Sequence, residues 1–394
     1  FVKYAEDYCR IDTAYRKFVY YTDRAARHEW FDGIREMVEN TYVNGYLNNL
    51  SIKWSGSVES LQEHWELGSL PNQWGFFRQQ VRSHLKKGER VFVIVSDALR
   101  FEAAGELARH LNSERRVSAE LNTMQGVLPS CTSLGMACLL PHRHIEISGD
   151  YSVSVDGVSS ESLENRNKIL SQQVEKSIAV RYKDLMDLKW DEFRKLVRGK
   201  DLIYIYHNSI DARGDHYPTE SEVFDAVEEA LVQLGSLVTR LVNNVAATNI
   251  YIVADHGFIY QRKSLAEYDK TIGDSDDNDY VSRRFILTGQ DKQMDGTLTF
   301  SMEYLLGAGN AFKCITPRGA NRFPVKGGGA NYVHGGPLPQ EIVVPLIHIK
   351  NERGRSAKNV QKVTVTLTSI SRKITNAVTY LEFFQTEKLS DKMR

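Results

Sequence analysis

The segment VFVIVSD, residues 91–97, decides the fold class of this chain. Its first five residues are all β-branched or aromatic, which is typical of a strand that helices cover on both faces. The strand ends at Asp97, and a helix is predicted over 101–111. Because open α/β sheets bind ligands at the carboxyl ends of their strands, Asp97 lies where a functional site is expected.

Two later segments repeat this pattern. LIYIY, residues 202–206, leads to Asp211 and to a long helix predicted over 221–244. IYIVA, residues 250–254, leads to Asp255 and His256. Each of the three apolar strands is followed, at or soon after the same end, by an acidic residue. This pattern predicts an α/β fold with one mostly parallel sheet sandwiched by helices.

Apolar residues before this sheet recur at helical spacing, so residues 1–88 are predicted to form a helical region. Its last helix stops at Gly88, directly after two lysines. Residues 89–350 are predicted as the α/β domain, and residues 351–394 as a small β/α extension that includes the alternating strand pattern VTVTLTS. The chain begins at Phe1 without an initiator methionine, so we expect it to be a piece of a longer protein.

The composition is that of an ordinary globular protein. The 394 residues include 50 basic and 50 acidic ones, so no overall charge draws the molecule to nucleic acid or to a membrane. Four cysteines without a CxxC pair, and no secretory leader, favour a reducing cytoplasm. No apolar run approaches the roughly 18 to 20 residues of a membrane span.

Asp97, Asp255 and His256 form the first candidate metal group. Carboxylate and imidazole side chains are common ligands of divalent cations. An adjacent Asp-His pair at a strand end can direct both side chains to one ion, although such a pair is also a common structural cap. Together with Asp97 on a neighbouring parallel strand, the pair favours a metal site.

The segment HNSIDARGDH, residues 207–216, holds the second candidate group. Asp211 and Asp215 are four residues apart, and His216 follows the second. A turn or short helix here would present two of them together. Capping of the helix that follows is the structural alternative.

A third group is PSCTSLGMACLLP, residues 129–141. A proline-led turn carries Thr132 into an apolar helix. The free amides and the dipole at a helix amino end stabilise negative charge, so Thr132 is well placed to accept a phosphoryl group. A plain Ser/Thr helix cap is the alternative.

The order of these parts, together with a late His334 in VHGG, resembles that of the alkaline-phosphatase superfamily. Within that superfamily, five motifs in the same order resemble the PglZ family, which is associated with BREX bacteriophage-resistance systems. These motifs are SDALRFE, LPSCTSLGMACLLP, YHNSIDARGD, VADHGF and VHGG. The resemblance covers about residues 89–350.

The resemblance implies two divalent metal ions and a threonine nucleophile, Thr132. One ion would be held by Asp97, Thr132, Asp255 and His256, and the other by Asp211, His334 and a residue near Asp215. Related phosphatases usually carry histidine four residues after the first aspartate, whereas this chain has Asp215 there and His216 next. We favour Asp215 on spacing and keep His216 as the alternative. Zinc is the metal expected first, with manganese or magnesium admissible because the ligands are rich in oxygen.

The expected function is therefore metal-dependent hydrolysis of a phosphomonoester or phosphodiester, with nucleic acid or nucleotides among the candidate substrates. Arg100 and Arg213 are candidate substrate contacts, as is Lys326 in a basic loop with Arg318 and Arg322. Salt-bridge or solvated roles are the alternatives for these residues. The expected partners are other BREX proteins. The rival hypothesis is a scaffold module of the defence complex whose site is vestigial.

Overall fold

The computed structural model describes residues 1–25, 29–68, 70–113, 117–262, 276, 278–325, 331–351, 364–368 and 380–386. Lys326 lies outside these ranges. Within them, no helix is long and apolar enough to cross a membrane.

The α-helices are α1 Cys9–Arg24, α2 Glu29–Asn40, α3 Asn48–Val58, α4 Arg82–Lys86, α5 Phe101–Ser113, α6 Thr132–Leu139, α7 Leu163–Gln173, α8 Tyr182–Asp187, α9 Trp190–Val197, α10 Asp211–Gly214, α11 Val223–Val245, α12 Glu303–Leu306 and α13 Pro339–Ile342. Short 3-10 turns cover Glu59–Leu61, Gln73–Gly75 and Tyr217–Glu222, and π-helical turns cover Tyr4–Tyr8, Thr41–Leu47 and Phe77–Val81.

The strands are β1 Val91–Ser96, β2 Val117–Gln125, β3 Ile145–Ile147, β4 Val153–Val155, β5 Val158–Ser159, β6 Ser177–Arg181, β7 Leu202–His207, β8 Asn249–Val253, β9 Ile259–Tyr260, β10 Tyr280–Val281, β11 Ile286–Thr288, β12 Thr297–Ser301, β13 Lys313–Pro317, β14 Tyr332–Val333, β15 Val343–Asn351, β16 Val365–Leu367 and β17 Phe383–Gln385.

A six-stranded sheet in the order β2-β15-β8-β1-β7-β6 forms the centre of the fold. The pairs β8-β1, β1-β7 and β7-β6 are parallel, and β15 runs antiparallel to both of its neighbours. Every residue of β1, β7 and β8 is buried, as the apolar runs predict. The α/β class with a mostly parallel central sheet is confirmed.

The three central strands lie in register, with Val95 beside Tyr206 in β7 and beside Val253 in β8. Their carboxyl ends therefore meet along one edge of the sheet. Asp97 follows β1 by one residue, and Asp255 follows β8 by two. This register brings motifs that are about 160 positions apart in the sequence to one place.

The amino-terminal helices pack against the sheet domain and share its apolar core, to which Tyr15, Tyr42 and Trp65 belong. Charged groups also join the two regions. Arg100 forms a buried ion pair with Asp12 at 3.0 Å, and Tyr42 donates a hydrogen bond to the same carboxylate at 2.6 Å. The predicted helical character of this region is confirmed.

Candidate metal centre

The chain turns sharply after β1 to bring Asp97 and Asp255 together. Ala98 has φ +60°, in the left-handed region that residues with a Cβ rarely adopt. Its amide donates to Oδ1 of Asp255 at 3.1 Å, and the amide of His256 donates to the same oxygen at 3.0 Å. These two bonds hold Oδ1 of Asp255 and leave its other oxygen, Oδ2, 3.5 Å from His256 Nε2.

Three side chains form the first ligand cluster, in which atoms of Asp97, Asp255 and His256 all lie within 4.8 Å of one another. His256 Nε2 is 3.5 Å from Oδ1 of Asp97 and 3.5 Å from Oδ2 of Asp255. His256 Nδ1 lies 3.0 Å from the carbonyl oxygen of Gly257. Because that carbonyl can only accept, Nδ1 carries the proton and Nε2 offers its lone pair to the cluster.

The chemistry of this cluster fits a cation. Asp97 Oδ1 and Asp255 Oδ2 are buried without a hydrogen-bond partner, an arrangement that is costly for carboxylates unless a positive charge compensates. Burial, and then the charges of Asp255 and Asp211, raise the pKa of Asp97 well above its usual range. A divalent ion would satisfy both unpartnered oxygens.

Thr132 is the first residue of α6. Its Oγ1 lies 3.0 Å from His256 Nε2, so the hydroxyl donates to the ring. No side chain caps the amino end of this helix, which leaves its first-turn amides available to an anion. The helix approaches the candidate metal ligands closely at Gly135, where an added Cβ would lie 2.3 Å from the carbonyl oxygen of Asp255.

A second ligand cluster joins Asp211, His256 and His334. His334 Nε2 is 3.9 Å from Oδ1 of Asp211, and the rings of His334 and His256 stack with centroids 4.0 Å apart. Tyr332 donates to Oδ1 of Asp211 at 2.9 Å. His334 Nδ1 lies 3.2 Å from the carbonyl oxygen of Ser130, so this ring also turns Nε2 toward the site.

Asp215 and His216 both lie exposed at the end of α10, outside the two ligand clusters of the described residues. Burial and His256 lower the pKa of His334, while Asp211 and Asp215 act in the opposite direction. His216 Nδ1 lies 3.4 Å from the hydroxyl of Thr219 instead. The two clusters therefore include neither Asp215 nor His216, and the choice between them stays a prediction.

The predicted substrate arginines are engaged elsewhere. Arg100 is 1% exposed and lies over the ring of Phe258 in addition to its ion pair with Asp12. Arg213 forms a two-bond ion pair with Glu229 at 3.2 and 3.0 Å. The structure therefore brings neither guanidinium to the site, and Lys326 lies outside the described residues.

Sequence reasoning missed Arg166, on α7. Its guanidinium lies 4.4 Å from the ring centroid of Tyr206, at the end of β7 beside β1, and its Nε donates to the carbonyl of Ser160 at 2.6 Å. Burial raises the pKa of Asp97, and the charge of Arg166 opposes that effect. No sequence signal marked this arginine, because α7 carries none of the motifs.

The fold and the candidate site are those of an alkaline-phosphatase-like domain. They combine a mostly parallel sheet, a threonine at the start of a helix, and two clusters of Asp and His side chains. The family model for the BREX system PglZ alkaline phosphatase-like domain matches residues 76–349. The chain belongs to this PglZ family.

Two relatives extend the match beyond the domain. The alkaline phosphatase-like protein PglZ of Bacillus cereus (strain H3081.97) is 51% identical over 394 residues, which is all of this chain and 46% of that protein. The alkaline phosphatase-like protein BrxZ of Escherichia coli O9:H4 (strain HS) is 37% identical over 357 residues, covering 88% of this chain and 41% of that protein. The chain spans less than half the length of these relatives.

Among solved structures, murine ectonucleotide pyrophosphatase/phosphodiesterase 5 matches 66% of this chain and 88% of its own, at 12% identity and a TM-score of 0.43. Phosphonoacetate hydrolase from Sinorhizobium meliloti 1021 matches 66% of this chain and 89% of its own, with 12% identity and a TM-score of 0.38.

Proposed function

We propose that this domain is a metal-dependent phosphoester hydrolase with Thr132 as its nucleophile, acting within a BREX defence system. The observation that carries the proposal is the position of the Thr132 hydroxyl, 3.0 Å from His256 Nε2. That nitrogen is in turn 3.5 Å from each of two unpartnered carboxylate oxygens, Asp97 Oδ1 and Asp255 Oδ2. A capping hydroxyl belongs to the residue before the first helical one, whereas Thr132 is itself the first residue of α6 and its hydroxyl bonds to His256.

The residues divide between two divalent cations, with zinc expected first. Asp97, Asp255, His256 and Thr132 would hold one. Asp211, His334 and a group supplied by Asp215 or His216 would hold the other. When bound, such ions lower the pKa of a hydroxyl and neutralise charge on a transferring phosphoryl group.

The protein's own groups account for the rest of the reaction. Thr132 Oγ1 gives up its proton and attacks phosphorus, and the ester oxygen leaves as the alcohol. Water then hydrolyses the phosphothreonine, which restores Thr132 and releases phosphate from a monoester or a phosphomonoester from a diester. The uncapped amino end of α6 stabilises the charge that develops on the phosphoryl oxygens. We assign Arg166 the same role, since Arg100 and Arg213 are occupied by carboxylates.

The proposal is tested by measuring hydrolysis of two substrates, a nitrophenyl phosphomonoester and a bis-nitrophenyl phosphodiester. Each is measured with zinc, with manganese and with magnesium. Thr132→Val removes the hydroxyl at nearly constant shape and should abolish turnover, whereas Thr132→Ser should retain part of it. Ser133→Ala is the matched control, because Ser133 is the exposed neighbour on the same helix. A higher rate with the diester would identify a phosphodiesterase.

Full turnover in Thr132→Val would exclude the nucleophile assignment. The rival scaffold role predicts a different result in cells, where the full-length protein would keep phage protection after this substitution even though hydrolysis is lost. Lost protection in a variant with normal folding would support catalysis as the function.

A further inference from the structure

We propose that a groove at the end of the sheet opposite to the metal centre binds single-stranded nucleic acid. The groove has a volume of about 660 Å³. Gly88 and Glu89, which precede β1, line it together with Asp201, which precedes β7. It therefore opens at the amino ends of the strands, roughly 20 Å from their carboxyl ends for a six-residue strand.

Four basic side chains line the groove. Arg78, Arg82 and Lys86 follow one another at four-residue intervals along the helical segment before β1, and Arg143 comes from the segment after α6. All four are exposed, and within the part of the chain that the structure describes none of them forms an ion pair. This differs from the basic loop after β13, where Arg318 pairs with Glu59.

The acidic residues of the groove do not cancel this charge. Glu89 accepts hydrogen bonds from His84 at 2.5 Å and from Asn249 at 3.2 Å. Asp201 is the second acid. Four basic side chains against two acidic ones leave an excess of two positive charges, in a chain whose 50 basic and 50 acidic residues balance. The rest of the chain therefore carries a net excess of two acidic residues.

Most of the remaining lining is apolar or aromatic. Half-buried Trp74 and Phe77 line the groove together with the arginines, and Leu85, Val174 and Leu305 are among the apolar residues of its surface. Proteins that bind single strands combine basic groups along the phosphate backbone with aromatic surfaces on which bases stack. A duplex keeps its bases stacked inside and could use only the basic groups.

His142 adds a neutral polar group to the wall of the groove. Burial lowers its pKa, and the charge of Arg78 contributes in the same direction. The ring is therefore uncharged at neutral pH and can hydrogen-bond to a base or sugar. His142 follows α6 by three residues, so the helix that begins with Thr132 at the metal centre leads directly to this groove.

The proposal is tested by fluorescence anisotropy with a labelled single-stranded oligodeoxynucleotide. The buffer is metal-free, so that no hydrolysis intervenes. Each lost phosphate contact on a single strand lowers the salt slope by about 0.7, which corresponds to about fivefold in affinity at 0.1 M salt. The double variant Arg78→Gln/Arg82→Gln should therefore bind about 25-fold more weakly, with a salt slope reduced by about 1.4.

The matched control is Arg10→Gln/Lys53→Gln, which removes two exposed basic groups outside the groove. It should change affinity less than twofold. Equal losses in both variants, or no loss in the groove variant, would overturn the proposal. Tighter binding of a duplex of the same length, or equal competition by inorganic polyphosphate, would overturn the role of the aromatic lining. Because the assay needs no turnover, its outcome is independent of the proposed hydrolysis.

Discussion

Replacing Gly135 by alanine tests how closely α6 packs against the segment that carries Asp255. Gly135 lies in α6, three residues after Thr132. The added Cβ would meet the carbonyl oxygen of Asp255 at 2.3 Å, where ordinary contact begins at 3.4 Å. Because backbone rather than a movable side chain is on the other side, α6 and the Asp255 segment must separate by about 1 Å.

Two opposing free energies set the expected stability. Alanine is favoured over glycine within a helix by about 1 kcal/mol, whereas overpacking of a core contact costs about 1–3 kcal/mol. A backbone contact places Gly135→Ala toward the upper end of that cost, so the variant should lose about 1–2 kcal/mol of unfolding free energy. The same separation would move Thr132 by about 1 Å relative to Asp255, and a shift of that size should also lower the proposed hydrolysis about 100-fold.

Gly33→Ala is the matched control, since Gly33 is helical and an added Cβ there meets nothing within 4 Å. It should gain about 1 kcal/mol with unchanged hydrolysis. Urea unfolding at 25 °C gives the stabilities, and hydrolysis of a nitrophenyl ester is measured far below the unfolding midpoints. The reasoning would be refuted if Gly135→Ala were as stable as Gly33→Ala and as active as the parent chain.

Three further outcomes are expected. Tyr332→Phe removes the hydrogen bond to Asp211 and should weaken metal binding about 10- to 100-fold in a calorimetric titration, whereas an unchanged affinity would contradict the placement of Asp211. Asp12→Asn leaves the buried charge of Arg100 without its partner and should cost about 3–5 kcal/mol of unfolding free energy, and a cost below about 1 kcal/mol would be inconsistent with that pairing. Burial lowers the pKa of His348 to about 4, so protonation of this ring favours the unfolded state. The contribution of the neutral ring to the free energy of unfolding is therefore lost as the pH falls from about 6.5 toward 4. His348→Phe should therefore lose less stability than the parent between pH 7 and pH 4.5, and equal losses would argue against this residue.

The central sheet was predictable because its signal is local. β1, β7 and β8 are continuous apolar runs, and such runs identify buried strands without knowledge of their neighbours. The structure places their boundaries within one residue of the predicted ones. The sequence also predicts strands over 285–288, 297–302 and 342–349, and the structure forms them as β11, β12 and β15.

The ligand residues were predictable for a related reason. Asp97, Asp255 and His256 follow strand ends, and parallel strands place those ends along one edge. Thr132 gained its significance from its place at the start of a predicted helix, and both Thr132 and His334 gained it from the order of the motifs. Their assignment as ligands and nucleophile remains a prediction that the metal and substitution experiments test.

The partners of the charged side chains were decided only by the tertiary structure. In the sequence, Arg100 lies three residues after Asp97, yet in the fold its charge is taken by Asp12 from the amino-terminal helices. Arg166 stands far from every motif, and the packing of α7 beside β7 brings it to Tyr206 near the site. A strand pattern depends on the character of successive residues, but an ion pair depends on which distant segment packs against it, and that choice is made by the whole core.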